Sequence, residues 1–406
     1  MKRTALLVLL LCLLCAGAAL GERRVMVASD LHYLAPELYE GSELFIRALR
    51  TGDGKLTQYS GELLDALLAQ ARAVRPDALV LTGDLTFNGE RVSHIRLAEK
   101  LNALRLEGIP VYVIPGNHDI ESNAARAFHG SQWSWTDAVT AEEFAAIYAE
   151  LMRPAEGGAG ANLSYHVPLS SELWLAMPDV TVWHGGAQVY GVYMADHDAW
   201  LEQVLSAADA AGAEVLTFTH HNLIPHTRFS QDTYLMFGHE DMLRRLQAHG
   251  VRLNLSGHMH IQHIARDGGT ADAATGAWSV WPHRWALVTL WDDGTLTYEA
   301  RTPDEAFLPE GFAAMSEEWF TSITVEKSRP MLADRGIPEA DQEAMLAFSA
   351  RFNRACFSGT FRSGDPGWRE DAGWLLWQKY LGESASVLYM NQVMEESPED
   401  NLRLVQ

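Results

Sequence analysis

Short, β-branched apolar runs alternate with amphipathic stretches from about residue 24 to residue 300, and this alternation is what most constrains the fold. An apolar run belongs in a sheet that is covered on its faces, and the amphipathic stretch after it supplies a cover. The pattern predicts strands over 24–28, 78–82, 110–114, 173–177, 214–219 and 251–255, with helices over 62–74, 93–107, 141–153, 198–211 and 240–249. Segments 285–291 and 295–301 flank Asp292, Asp293 and Gly294, which predicts a β-hairpin. The Gly-rich stretch 156–161 reads as a surface connection inside the same domain. After Pro303 the pattern turns helical and rich in aromatics, and the helical spacing of Trp374, Trp377 and Tyr380 reads as core. The expected organisation is an α/β domain over 22–303 followed by a helical C-terminal region over 304–406.

Residues 1–21 have a different character. Lys2 and Arg3 precede an apolar run over 5–14, and the small residues Ala16, Gly17, Ala18 and Ala19 follow. This is the layout of a secretory signal peptide, and its apolar run is shorter than the roughly 20 residues a membrane span requires. The expectation is cleavage and export to the periplasm, cell envelope or exterior, with no membrane span in the mature chain. Cleavage would remove Cys12 and Cys15 and leave Cys356, so stability would rest on packing and metal, with no intramolecular disulfide. With 31 Lys and Arg against 53 Asp and Glu, the net charge of −22 repels polyanions at long range. No dedicated nucleic-acid partner is expected.

Polar groups of one chemical kind stand where the predicted strands end. They are Asp30 and His32 in "SDLH", Asp84 in "GDL", Asn117 and His118 in "GNHD", His220 in "THH", and His258 and His260 in "GHMH". Loops converge at that edge of an α/β sheet, so residues far apart in sequence can meet there. Carboxylate, amide oxygen and neutral imidazole together suit a hard-to-borderline divalent cation. Asp30 and His32 alternate by two, as do His258 and His260, and on extended backbone each pair would point to one side. Gly83, Gly116 and Gly257 immediately precede Asp84, Asn117 and His258, where a side chain would crowd the site. Each signal alone is common; their joint occurrence in order at strand ends is not.

That ordered set, Asp-x-His, Gly-Asp, Gly-Asn-His-Asp, a later His and Gly-His-x-His, resembles the pattern of the calcineurin-like metallophosphoesterase superfamily over about residues 25–300. "GDLTFNGE" is similar to the single-domain, phosphodiesterase-like bacterial branch and lacks the Asp-Arg pair of the Ser/Thr protein phosphatases. The resemblance implies a four-layer metallophosphoesterase sandwich, two mixed β-sheets flanked by helices, and two divalent or trivalent metal ions drawn from Fe, Mn, Zn and Co. Carried over by position, Asp30, His32 and His260 would hold the first ion, Asn117, His220 and His258 the second, and Asp84 would bridge them. The implied activity is cleavage of phosphodiester or phosphomonoester bonds in small phosphorylated substrates by a metal-bound hydroxide. The alternatives are a nuclease or a non-catalytic metal-binding protein on the same fold.

His118 would lie beside the phosphate without ligating metal and protonate the leaving oxygen, with Asp119 orienting a neighbouring group. Asn88 either touches substrate or shapes its turn. In "THHN" the assignment goes to His220, the first residue past the strand, with His221 as the alternative. His239, His263, His283 and Asp196 read as solvated loop residues or, alternatively, as further metal or substrate groups. Tyr33, Phe87, Trp133, Trp135, Trp183, Trp281 and Trp285 read as packing aromatics, each with an alternative role stacking on a flat leaving group.

Overall fold

Two six-stranded mixed sheets lie face to face, with helices over each outer surface. The structure is a computed structural model that describes residues 22–39, 41–152, 162–227, 231–365, 367–396 and 400–406. The predicted leader, the Gly-rich stretch 156–161 and the end of the helix expected at 141–153 lie outside the described residues. The first sheet joins β1 (Arg23–Ala28), β2 (Ala78–Thr82) and β3 (Val111–Ile114) in parallel. It continues antiparallel through the hairpin β12 (Trp285–Leu290) and β13 (Leu296–Arg301). The second sheet has the parallel core β7 (Leu173–Met177), β8 (Glu214–Phe218), β9 (Leu253–Ser256) and β11 (Thr270–Ala274). Antiparallel edges β6 (Tyr165–Pro168) and β10 (His263–Asp267) complete it.

Period-two alternation builds the layers. Val25, Val27, Val80 and Ile114 meet Leu175, Met177, Phe218 and Leu255 in the core between the sheets. Their neighbours Met26, Ala28, Leu79, Leu81 and Val113 turn outward onto α1 (Glu43–Arg50), α2 (Ser60–Val74) and α3 (Arg91–Leu106). Across the sandwich, α5 (Ala195–Ala211) and α6 (His239–Ala248) cover the second sheet, after the short α4 (Ala141–Ile147) on the first side. Burial on both faces is why β2 and β3 read as unbroken apolar runs.

The chain after Pro303 forms α7 (Phe312–Leu332), α8 (Glu339–Phe357), α9 (Ala372–Leu381) and α10 (Ala385–Val393). These helices share a core that includes Phe348, Phe352, Trp374 and Trp377. The indole of Trp377 donates to the Met345 carbonyl (2.9 Å), so its polar edge is satisfied inside that core. The tail is not helical to its end. β14 (Arg403–Val405) returns to pair with β13, so the last residues form an edge of the first sheet.

Candidate metal centre

The C-terminal ends of β1, β2, β3, β8 and β9 open on one edge of the sandwich, and the loops there deliver the polar groups. Ligand atoms of Asp30, His32, Asp84 and His260 lie within 4.8 Å of one another, and so do those of Asp84, His220 and His258. Asp84 is common to both groups. His32 Nε2 stands 3.2 Å from His260 Nε2 and 3.5 Å from Asp84 Oδ2, and His260 Nε2 is 3.2 Å from Asp30 Oδ1. On the other side, His220 Nε2 is 3.4 Å from Asp84 Oδ1 and 3.0 Å from Asn117 Oδ1.

Several of the imidazoles are anchored by the nitrogen that faces away. His220 Nδ1–H donates to the Thr82 carbonyl (2.9 Å), and His258 Nε2–H to the Thr233 carbonyl (2.9 Å). His260 Nδ1 is bound by the Asp53 carboxylate. Such outer partners fix the tautomer and leave a lone pair on the inward nitrogen, as a metal-ligating histidine requires. The residues therefore fit a pair of cations by chemistry as well as by proximity. Asp53 is a member that sequence reasoning missed. It lies on a loop between helices, not at a strand end, and only the tertiary structure brings it to His260.

The local backbone departs from the extended form expected for the Asp-x-His and His-x-His pairs. Asp30 (φ 55°), His32 (φ 43°), Asp84 (φ 48°), His258 (φ 67°) and His260 (φ 61°) are all left-handed. Side-chain convergence thus comes from tight, strained turns, which non-glycine residues adopt only when surrounding contacts hold them. Close approach explains two glycines. A Cβ on Gly116 would sit 2.2 Å from Asp84 Oδ1, and one on Gly257 would sit 1.8 Å from Ser29 Oγ and 2.7 Å from Asp30 Oδ2. The crowding they avoid is with Asp84, backbone and side chain alike, and with the Ser29 hydroxyl beside Asp30.

Electrostatics match a site built for positive charge. Against the burial that opposes it, Asp84 and Asp30 hold the His220 pKa up at about 9, and Asp53 with Asp30 raises His260 to about 10. Burial and the neighbouring His220 drive His258 down to about 3. Burial likewise holds His32 well below the usual imidazole range, so the carboxylates favour a proton on His220 and His260 while His32 and His258 stay neutral.

His118 belongs to neither group. Its Nδ1 bonds the Phe87 carbonyl (3.0 Å) and Asn88 Oδ1 (3.0 Å), and Nε2 points inward, 3.9 Å from Asp84 Oδ2. Its side chain is 31% exposed, against 0% for His32 and His220, so it stands at the mouth. Asn88 therefore orients His118. Asp119 is buried and binds the amides of Leu85 (3.0 Å), Thr86 (2.9 Å) and Gly116 (2.8 Å), clamping the "GDL" and "GNHD" loops together. Burial and nearby Asp84 push its pKa to about 7 against those amides. Its carboxylate is thus fully occupied in joining the two loops.

His221 turns away, with Nε2 on the Val189 carbonyl (3.0 Å). His283 is a satisfied core residue, bonded to the Trp278 carbonyl and Ser316 Oγ (2.7 Å each). His239, His263 and Asp196 also lie outside both groups. Among the aromatics, Tyr33, Trp183 and Trp285 are buried, and Trp281 packs on Phe320. Trp133 and Trp135 are exposed on the hairpin β4 (Arg126–His129) and β5 (Gln132–Trp135), where both rings hold Arg126.

Residues 23–262 match the profile of the calcineurin-like phosphoesterase family. A 59-residue stretch is 39% identical to a protein of Arcobacter nitrofigilis named probable glycerophosphodiester phosphodiesterase GpdQ; the match covers 14% of this chain and 20% of that one. Among solved structures, a dimetal phosphatase from Danio rerio aligns over 69% of this chain and 96% of its own at 16% identity, with a TM-score of 0.49. A putative 5′-nucleotidase from Staphylococcus aureus aligns over 74% and 58% at 14% identity, with a TM-score of 0.42.

Proposed function

Because the chain belongs to the calcineurin-like phosphoesterase family, we propose that it hydrolyses phosphoester bonds of small phosphorylated substrates with the help of two cations. The observation that carries this reading is the double membership of Asp84, whose carboxylate is shared by two ligand groups. Asp30, His32 and His260 would complete one site, and Asn117, His220 and His258 the other. Bound there, the cations would supply Lewis-acid polarisation of a phosphoryl oxygen and of an attacking water.

The chain's own residues do the rest. The Phe87 carbonyl and Asn88 hold the Nδ1–H of His118, so Nε2 faces the cluster and, in the cationic form, carries the proton for the departing alkoxide. The His118 amide also donates to Asp84 Oδ1 (2.9 Å), tying the proton donor to the shared carboxylate. Asp119 holds both loops in register. The charged, apolar and small residues of 2–19 support export of the chain.

Two substitutions test the reading. Asp84→Asn should lower metal content and abolish hydrolysis of bis(p-nitrophenyl) phosphate. His118→Ala should keep the metal and lower turnover about 10²- to 10⁴-fold. Unchanged hydrolysis in both variants would sink the mechanism. A metal-replete protein silent on a panel of mono- and diesters would favour a non-catalytic metal-binding protein.

A further inference from the structure

A cavity of about 360 Å³ lies beside the metal centre, which it meets at Asp53 and Met259, and residues of the C-terminal helices line its other side. Asp53, whose carboxylate binds His260, stands at the junction. So does Met259, between His258 and His260, and the ring of Tyr234 meets His258 edge-on at 5.5 Å. The far wall is supplied by Phe357 at the end of α8, by Phe361, by Tyr389 of α10 and by Glu396. A group attached to a phosphorus held at the metal centre would project into this space.

The wall has a definite chemical character. Tyr234, Phe357, Phe361 and Tyr389 line it beside the imidazoles of His226 and His263, and its carboxylates among the described residues are Asp53, which His260 and Lys55 (4.0 Å) balance, and Glu396, with no lysine or arginine in the wall itself. Glu396 lies 3.5 Å from His263 Nε2. Tyr389 and Cys356 share this wall with Glu396, and burial pushes both well above their ordinary pKa values, with Cys356 and then Glu396 adding to the shift at Tyr389 and Glu396 adding to it at Cys356. Carboxylates and ring faces both repel an anion and both attract a cation. The phosphoryl group itself would therefore stay at the metal centre, and the cavity would take a group of opposite sign.

We infer that this cavity binds the alcohol half of the substrate and that this half carries a positively charged nitrogen, so that the substrate is a zwitterionic amino-alcohol phosphoester. The inference rests on the hydrolase reading for the phosphoryl half alone. It also assigns a task to the C-terminal helices: Phe357, Tyr389 and Glu396 complete a site whose other wall is the metal centre. A neighbouring cavity of about 230 Å³ shares Asp53, Asn353, Phe357 and Tyr389, and extends the same aromatic, lysine-poor surface only until Lys327 on α7.

Binding and turnover separate the two claims. Calorimetric titration of the full chain with choline, ethanolamine and 3,3-dimethylbutan-1-ol, the neutral carbon isostere of choline, requires no catalysis. At least one cationic alcohol should bind ten times more tightly than the isostere, and Glu396→Gln should remove most of that preference. Tyr389→Leu should weaken the cation severalfold with a smaller effect on the isostere. Equal binding of all the alcohols, preference for the isostere, or no binding by any of them would overturn the inference. In parallel, p-nitrophenyl phosphocholine and p-nitrophenyl 3,3-dimethylbutyl phosphate are offered to the metal-loaded protein. Cation preference in binding with neither ester cleaved would leave the cavity assignment standing and the hydrolase reading fallen. Cleavage of both esters at equal kcat/KM, with no preference among the alcohols, would do the reverse.

Discussion

Replacing Asp53 by Asn removes one negative charge from the outer face of His260 and changes no residue of either ligand group. The carboxylate binds His260 Nδ1, and the ring's other nitrogen faces Asp30 and His32 at 3.2 Å each. A carboxylate behind a ligating imidazole fixes the ring and raises its basicity, and loss of such a partner typically costs about 10- to 100-fold in metal affinity, or roughly 1.4–2.7 kcal/mol. Asparagine can still accept the Nδ1–H, so Asp53→Asn should fall near the lower end and Asp53→Ala near the upper. The loss should be confined to one of two binding steps, because His220 and His258 are anchored independently on the Thr82 and Thr233 carbonyls. The assay is titration of metal-stripped protein with Mn²⁺ or Zn²⁺ against a chromophoric chelator, with thermal melts of the apo forms as a fold control. Two unchanged binding steps would refute the role given to Asp53, and an equal fall in both would show a general distortion.

Other perturbations follow from the same structure. Asn88→Ala leaves the Phe87 carbonyl on His118 but removes a hydrogen bond worth about 1 kcal/mol, so kcat should fall about fivefold with metal content unchanged; an unaltered kcat would free Asn88 of an orienting role. Glu90 is fully buried, and burial raises its pKa from the usual 4.5 to about 7. A folded-state pKa above the unfolded one stabilises the protonated form, so this group's contribution is full below about pH 4.5 and is lost as pH rises to about 7. Glu90→Gln should remove this decline, recovering on the order of 3 kcal/mol at pH 8; denaturant melts across that range with the same slope in both proteins would contradict it. Gly257→Ala drives a methyl into Ser29 and Asp30, so elemental analysis should find metal reduced while β-sheet circular dichroism persists. Full metal content in that variant would show that the loop relaxes freely.

Much of the centre was legible because its chemistry resides in side chains at strand ends. β2 and β7 coincide with their predicted spans, since both faces of each are buried and their apolar runs are unbroken. β11 was invisible: "TADAA" has little β-branching, and its place between β9 and β10 is dictated by tertiary contacts. The same holds for β14, a short tail strand after a long helical stretch. The left-handed turns at Asp30, His32 and Asp84 could not be inferred from residue type, because Asp and His enter that region more often than other non-glycine residues but still mostly lie elsewhere. Nor could the carbonyl anchors of His220 and His258, because a backbone oxygen leaves no mark in sequence. The choice of His220 over His221 rests on its position just past β8; in the structure His220 Nε2 faces Asn117 Oδ1 and His221 Nε2 meets the Val189 carbonyl.

A carboxylate shared by two cation sites implies a paired centre, and the most direct measurement is the number of metal ions per chain. Elemental analysis of protein stripped, reloaded with Mn²⁺ or Zn²⁺ and freed of excess should give two ions per chain in wild type, and Asp84→Asn should lose both together. A wild-type value of one or none, or an Asp84→Asn protein that keeps two, would contradict the paired centre.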